Sequence, residues 1–265
     1  MPVLNVWFPE GVGIETVALL MLVAFAAGWV DAVVGGGGLL QLPALLLVPH
    51  LAPVQALATN KLASIFGTGT SALTYHRRVA PDLRTALPMA VLALVGSFGG
   101  AAVATVLPPA LFKPIIVVAL TAVVLFVALR PQLGAATALR FTGRDHLAAA
   151  AVIGVLIGFY DGMLGPGTGA FLVIALVSIV GYDFIAASAK AKIVNFATNL
   201  GALLLFVPTW SVVWGLGLCL AAANMTGGYL GARTAIAKGT GFVRVMFLAV
   251  SAALIVKLGY DVWAG

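Results

Sequence analysis

The ionisable residues inside long apolar segments of this 265-residue chain include Asp31, Lys61, Asp161 and Lys192. Charged groups are costly inside a bilayer, so each is a candidate for a functional site. Two lysines near the middle of a membrane would bind a small anion, and the aspartates could take up a proton and couple its movement to that of a substrate. The sequence equally allows structural ion pairs between these lysines and aspartates, or aspartates that hold a turn by accepting backbone N–H groups.

A glycine-rich stretch follows each aspartate, in VDAVVGGGG and in YDGMLGPGTG. Glycine permits a tight turn, and non-helical backbone persists in a bilayer only where protein or an aqueous cavity surrounds it. The helix that begins after each turn would point its N-terminus inward, where free N–H groups favour an anion. Seven residues of these stretches belong to the predicted substrate-binding set: Gly35, Gly36, Gly37, Gly38, Gly165, Gly167 and Thr168. Thr168 could also cap the helix that follows it.

Neutral hydrogen-bonding side chains accompany the two lysines on the same predicted helices. These are Asn60, Ser64, Asn195 and Asn199. Lys61 lies roughly 12 Å along a helix that starts at Pro53, and Lys192 roughly 13 Å along one that starts near Asp183. If the two helices start at opposite faces of the membrane, both lysines approach its midplane, and these residues complete a predicted anion site.

The composition is that of a membrane protein, because 62% of the residues are hydrophobic and only 8% are charged. The net charge of +6 comes from basic residues in short gaps between apolar runs, which is typical of topology signals rather than of nucleic-acid binding. The single Cys219 excludes an internal disulfide, and the histidines show no ligand spacing. We therefore expect no metal and no cofactor.

The apolar runs form two sets of four with the same order of features. The first set covers about 14–48, 53–75, 85–107 and 111–129, and the second about 147–180, 184–207, 211–232 and 242–262. Asp31 and Asp161 are 130 positions apart, and Lys61 and Lys192 are 131 apart. The pattern predicts a first membrane repeat at 1–130, a cytoplasmic linker at 131–145 and a second membrane repeat at 146–265, an organisation typical of secondary transporters.

Two further pairs support the duplication. The glycine pairs at 99–100 and 227–228 correspond, and so do Phe112-Lys113 and Val243-Arg244. The small residues at 96–100 and 227–231 predict close helix packing.

Three basic gaps, near 77–84, 130–144 and 233–244, should face the cytoplasm by the positive-inside rule. If each long first run is a hairpin that enters and leaves on one side, the chain is an all-α polytopic membrane protein. It then has two glycine-broken hairpins, six full spans, inverted repeats and both termini outside. If the long runs are full spans, the chain makes eight crossings with parallel repeats. The side on which 181–192 lies discriminates between the two models.

The paired motifs GWVDAVVGGGGLLQLPALLL with ATNKLASIFGTGTSALTYHR, and GFYDGMLGPGTGAFLV with AKAKIVNFATNLGALLLF, resemble the TauE/SafE family of membrane transporters and its YfcA-like branch. The resemblance covers essentially the whole chain. It implies a multi-pass transporter of the bacterial inner membrane whose relatives export sulfite or small organosulfur anions. Pro166 and Thr168 stand where the first copy has Gly36 and Gly38, which leaves open whether both halves bind substrate equivalently.

The leading hypothesis is a secondary transporter that exports a small inorganic or organosulfur anion, such as sulfite or an organosulfonate, by alternating access of its repeats. Its expected partners are that anion, coupled protons and the lipid bilayer, and a homodimer is compatible with the sequence. No phosphate-binding loop is present. A passive anion channel is one alternative. An intramembrane enzyme using Asp31 and Asp161 is another, although neither a nucleophile and base pair nor a metal motif accompanies them.

Overall fold

The computed structural model describes residues 7–9, 11–108, 118 and 136–263, and within these residues all regular structure is helical. The predicted span at 111–129, apart from residue 118, lies outside the described residues, as do Lys113 and the first part of the predicted linker.

Eight α-helices and one π-helical turn are described. The first repeat contains α1 (Ile14–Val34), α2 (Gly38–Leu46), α3 (Pro53–Val79) and α4 (Leu83–Val106), and the second contains α5 (Gly143–Met163), α6 (Thr168–Ala175), α7 (Phe184–Phe206) and α8 (Trp214–Trp263). A π-helical turn, Leu176–Val180, continues α6. Pro53 opens α3, and the side chains of Asp82 and Asp183 cap α4 and α7 by accepting N–H groups of the first turn.

Both long apolar runs are broken at their glycines. The first run becomes helices of 21 and 9 residues, with Gly35 in the left-handed region at φ 83°. The second is broken at Gly165 and Gly167, with φ values of 90° and 82°. A Cβ placed on Gly37 would lie 2.5 Å from the carbonyl oxygen of Ala27. The chain therefore turns back beside the end of α1, because an extended helix would carry these residues far apart.

Two boundaries differ from the sequence predictions. The expected gap at 233–241 is largely helical, since α8 continues past Arg233 and Lys238 and is interrupted only at Gly239, whose backbone has φ 76° and ψ −174°. Helix α5 begins at Gly143, inside the predicted linker. A helix can extend through cationic residues at a membrane boundary because long basic side chains reach water while the backbone stays hydrogen-bonded.

Three of the described helices, α1, α4 and α5, are long and apolar enough to cross a membrane. Each exposes large apolar side chains, including Leu22, Val95 and Leu156 at 68%, 62% and 65% exposure. Water would penalise such surfaces, whereas lipid does not. The chain is therefore a membrane protein whose regular structure, in the residues described, is entirely helical.

Glycine allows the closest helix contacts, as the sequence predicted for 96–100 and 227–231. A Cβ on Gly100 of α4 would lie 1.9 Å from the carbonyl oxygen of Phe159 of α5. A Cβ on Gly227 of α8 would lie 2.0 Å from the carbonyl oxygen of Phe25 of α1. The prediction of close packing is confirmed, and the pairs α4–α5 and α1–α8 are counterparts under exchange of the two repeats.

The buried apolar residues form two clusters. The first contains the starts of α1, α3 and α8 and the end of α7, and the second contains the starts of α4, α5 and α7 and the end of α3. Helix α3 thus runs from Leu57 in the first cluster to Tyr75 in the second, whereas α7 runs from Ala187 in the second to Phe206 in the first. These counterpart helices run in opposite directions between the clusters, and the glycine turns lie between them.

Candidate functional site

Two buried ion pairs join the repeats crosswise. The Lys61 Nζ lies 2.6 Å from Asp161 Oδ2, and the Lys192 Nζ lies 2.8 Å from Asp31 Oδ2. Each lysine of one repeat therefore contacts the aspartate of the other. The sequence left open whether the lysines and aspartates pair with each other, and in the structure they do. The formal charges of the two lysines and two aspartates sum to zero.

The elements that hold these charges explain their depth. Asp31 and Asp161 lie in the last turns of α1 and α5, immediately before the glycine turns, and Lys61 and Lys192 lie in the first halves of α3 and α7. The carbonyl of Asp31 also accepts the N–H of Gly35 at 2.8 Å and a hydrogen bond from Lys192. The main chain of Asp31 thus holds the turn, while its carboxylate accepts Lys192 and no backbone N–H group among the described residues.

The two glycine turns touch beside the ion pairs. Ala170 donates its N–H to the carbonyl of Gly35 at 2.9 Å, and a Cβ on Gly35 would fall 2.1 Å from the carbonyl carbon of Gly169. Gly38 is in looser contact with Gly165, whose carbonyl oxygen would lie at an ordinary van der Waals distance of 3.4 Å from an added Cβ, so the tight crossing is the one between Gly35 and Gly169. Only glycine permits this approach, because any side chain at the crossing would meet backbone atoms.

The turns, the ion pairs and the neighbouring amides surround one cavity. Its lining includes these residues predicted from the sequence: Asp31, Gly35, Gly37, Gly38, Asn60, Lys61, Ser64, Asp161, Gly165, Gly167, Thr168, Asn195 and Asn199. Gly36 and Lys192 are not among the lining residues. Lys192 is fully buried and directed to Asp31 instead.

Three lining residues were missed from the sequence: Thr68, Gly169 and Asn224. Thr68 follows Ser64 by one helical turn, so the face of α3 could have indicated it. Asn224 is a lone amide within an apolar run. Its Nδ2 donates to the Oε1 of Gln41 at 2.7 Å, which joins α8 to α2 through two buried side chains.

The cavity is narrow in this conformation. The empty space between its lining residues, including the part that is open to the surroundings, is about 370 Å³. Most of this space is too constricted to hold anything larger than an ordered water molecule. An anion of several atoms can enter only if side chains move, because so little space is open and hydrogen bonds within α3 and α7 hold the side chains of Thr68 and Asn199. Asn199 Nδ2, for example, donates to the carbonyl of Asn195 at 2.9 Å.

Thr168 does not cap α6. It is the first residue of the helix, Gly167 is the N-cap, and the hydroxyl of Thr168 donates to the carbonyl of Gly165 at 2.8 Å. The left-handed backbone of Gly167 places Thr168 one position too late for capping. The N-terminal ends of α2 and α6 nevertheless both border the cavity. Their partial positive charge therefore favours an anion there.

A second polar cluster lies where α4, α5 and α7 begin. His146 Nε2 is 3.0 Å from Thr85 Oγ1 and 3.1 Å from the hydroxyl of Tyr182, and Lys190 Nζ lies 4.1 Å from the centre of the Tyr182 ring. Thr85 donates to Asp82 at 2.8 Å. Partial burial acts to raise the pKa of Asp82, but hydrogen bonds from Thr85 and from the Arg84 N–H, with nearby cations, hold that pKa below its usual value.

The segment before α5 is bonded to the segment after α6 at this same end. Ala138 donates its N–H to the carbonyl of Gly181 at 2.7 Å, and Thr137 Oγ1 donates to Asp183 Oδ2 at 2.6 Å. The chain therefore returns, after its second glycine turn, to the end from which α5 started. In the part of the chain that the structure describes, no three histidine, cysteine or acidic residues are grouped to hold a metal ion.

The chain is similar to membrane transporter proteins over nearly its whole length. The family model "Sulfite exporter TauE/SafE" matches residues 20–258. A "Probable membrane transporter protein ORF9" from Sinorhizobium is 35% identical over 262 residues, covering 97% of this chain and 99% of that protein. A "Probable membrane transporter protein" from Haemophilus influenzae is 33% identical over 94% of this chain and 97% of its own length. "Probable membrane transporter protein YfcA" of Escherichia coli is 34% identical over 92% and 89%, respectively. No solved structure matches.

Proposed function

Because this chain belongs to the sulfite exporter TauE/SafE family, we propose that it is a secondary transporter that exports a small sulfur-containing anion, sulfite or an organosulfonate. The proposed location is the bacterial inner membrane, which the chain crosses several times. The relatives in Sinorhizobium, Haemophilus influenzae and Escherichia coli are named as probable membrane transporters, which supports the transport class.

The observation that carries the proposal is the cavity between the repeats. It brings Lys61, two helix N-termini and several amides together at one buried point. A lysine ammonium and the partial positive charge of two helix N-termini attract the oxygens of a small oxyanion, and burial strengthens that attraction relative to water. Asn60, Ser64 and Thr68 on α3 then supply neutral hydrogen bonds that would orient the anion.

We propose that the anion passes by alternating access between inverted repeats. Support comes from the opposite directions of α3 and α7 and from the return of the chain at Gly181 to the start of α5. Arg78, Arg140 and Arg233 also adjoin the second apolar cluster, so the positive-inside rule assigns that end to the cytoplasm. On this proposal, the first hairpin opens to the periplasm and the second to the cytoplasm.

Counterflow in proteoliposomes tests the proposed function. Vesicles loaded with unlabelled sulfite should accumulate external radiolabelled sulfite transiently above its equilibrium level, as carriers do and channels do not. The double variant Lys61→Gln with Asp161→Asn keeps the cavity neutral and should abolish counterflow. Gly241→Ala is the matched control, because its added Cβ meets nothing within 4 Å and should leave transport unchanged.

The same counterflow assay, repeated with sulfoacetate, sulfate and chloride in place of sulfite, identifies the preferred anion. Absence of counterflow by the unaltered protein with both sulfite and sulfoacetate would overturn the proposed substrate class. Uptake that simply equilibrates, without the transient excess, would favour the passive channel.

A further inference from the structure

The cavity has a charge balance that restricts what can bind. Two lysines and two aspartates lie in or directly behind its wall, so their formal charges cancel. An anion that entered this arrangement alone would leave one uncompensated negative charge in a buried place. Burying an unpaired charge is strongly unfavourable, so the entering anion requires a compensating positive charge.

The two ion pairs are not equivalent. Lys61 and Asp161 both line the cavity, and the Lys61 Nζ would lie 3.1 Å from a Cβ on Gly165, within the second glycine turn. Lys192 does not line the cavity, and it donates both to the carboxylate and to the backbone carbonyl of Asp31. The Lys192 pair is therefore locked into the end of α1, whereas the Lys61 pair faces the space that an anion would fill.

We propose that the anion enters together with one proton and exchanges places with the Asp161 carboxylate. Asp161 takes up the proton and becomes a neutral carboxylic acid, while Lys61 keeps its proton and transfers its ionic contact from Asp161 to the anion. The Lys192–Asp31 pair stays intact. The occupied cavity is again neutral for a monovalent anion, and no bond other than the O–H bond of Asp161 is formed. This inference rests on the proposed function.

The surroundings of Asp161 leave few other proton acceptors. Lys61 faces it from α3, Asp31 borders the same cavity from α1, and Lys192 of α7 is directed to Asp31. Tyr160, its neighbour on α5, donates its hydroxyl to the carbonyl of Pro166 at 2.6 Å. Among the described lining residues, α2, α6 and α8 contribute no ionisable side chain. Of the cavity residues in the described part of the chain, Asp31 is thus the one alternative acceptor, and its ion pair is the natural control.

Infrared difference spectroscopy of the purified protein with sulfite tests the exchange, because sulfite has no carboxyl group of its own. Sulfite should produce a protonated-carboxyl band that shifts in deuterated water. The band should persist in Asp161→Glu and in the double variant Asp31→Asn with Lys192→Gln, which removes the second ion pair without changing the net charge, and it should vanish in Asp161→Asn. Sulfite binding without the band, or a band that vanishes in that double variant and persists in Asp161→Asn, would overturn the inference.

Binding affinity gives a second readout that does not depend on band assignment. A monovalent sulfonate, 2-hydroxyethanesulfonate, remains ionised across the neutral range, so any pH dependence of its binding belongs to the protein. Its affinity should fall by about tenfold per pH unit as pH rises, as expected for one linked proton. Asp161→Asn should flatten that dependence, and the double variant with Lys61→Gln, which preserves neutrality, should bind no anion.

A pH-independent affinity in the unaltered protein would contradict proton coupling while leaving transport intact. Failure of the unaltered protein to bind both sulfite and the sulfonate would instead contradict the proposed function itself. The two failures are therefore distinguishable.

Discussion

Gly35 and Gly169 are in backbone contact where the two glycine turns cross. A Cβ on Gly169 would lie 2.5 Å from the Cα of Gly35, and the reverse substitution is tighter still. Each turn therefore fixes the position of the other, and the crossing holds the N-terminal ends of α2 and α6 at the cavity.

Gly169→Ala should destabilise the protein and stop transport, because the new methyl group meets backbone that cannot move aside. Overpacking of this kind costs roughly 1–3 kcal/mol. Thermal unfolding in detergent and sulfite counterflow measure the two effects. Gly241→Ala, which has open space around its Cβ, should change neither. A fully stable and active Gly169→Ala protein would show that the turns separate freely.

The crosswise ion pair should give a large coupling energy in a double-mutant cycle. Lys61→Met alone leaves Asp161 buried beside no cation and should cost about 3–5 kcal/mol of unfolding free energy at neutral pH. Adding Asp161→Asn removes the orphaned charge and should restore most of that loss. The cycle is measured as shifts in thermal unfolding, and additive effects of the two substitutions would mean that the pair contributes nothing as a pair.

Cysteine labelling should reveal the orientation of the two ends. In a Cys219→Ala background, Ala52→Cys and Pro208→Cys, near the first apolar cluster, should react with a membrane-impermeant thiol reagent added outside intact cells. Arg78→Cys and Arg140→Cys should react only after the cells are opened. All four native side chains are exposed, so a reversed pattern would place the basic end in the periplasm.

The cap at the start of α4 should make stability depend on acid pH. The pKa of Asp82 is lower in the folded protein than in the unfolded chain, so its carboxylate stabilises the fold. That stabilisation is fully present above the unfolded-state pKa of about 3.9 and is lost as the pH falls through the folded-state pKa. Asp82→Asn keeps an oxygen that can cap the helix but loses the charge, so it should lower the thermal unfolding temperature at neutral pH only by the contribution of that charge, about 0.5 kcal/mol. The difference from the unaltered protein should shrink near pH 3.

Asp145→Asn is the matched control, because Asp145 is exposed in the first turn of α5 and caps nothing. If both variants lose stability in acid as much as the unaltered protein does, the acid dependence of stability comes from other groups.

The sequence predicted the helical membrane class and the breaks at Gly35 and Gly165 because apolar length and glycine runs are local signals. It also selected Asn60, Ser64 and Asn195, since polar groups within apolar helices are conspicuous. The partner of each lysine could not be predicted. Pairing within a repeat and pairing between repeats use the same residues, and only the crossing of the turns selects between them.

Other features required tertiary information for similar reasons. Thr168 looked like a helix cap, but the left-handed Gly167 takes that position. The network of His146, Thr85 and Tyr182 joins residues from three separate segments, and none of them is unusual for its own segment. Asn224 was visible as an isolated amide, but its significance depends on Gln41, which is distant along the chain.

The crosswise pairing also bears on how the protein is made. The first repeat leaves the ribosome before the second, and at that stage the residues that finally pair with Asp31 and Lys61 are not yet synthesised. Until then, Asp31 and Lys61 can pair only with each other among the four charges of the site. The arrival of α5 and α7 must therefore replace pairing within the first repeat by two ion pairs between the repeats, so the first repeat reaches its final arrangement only when the second is complete.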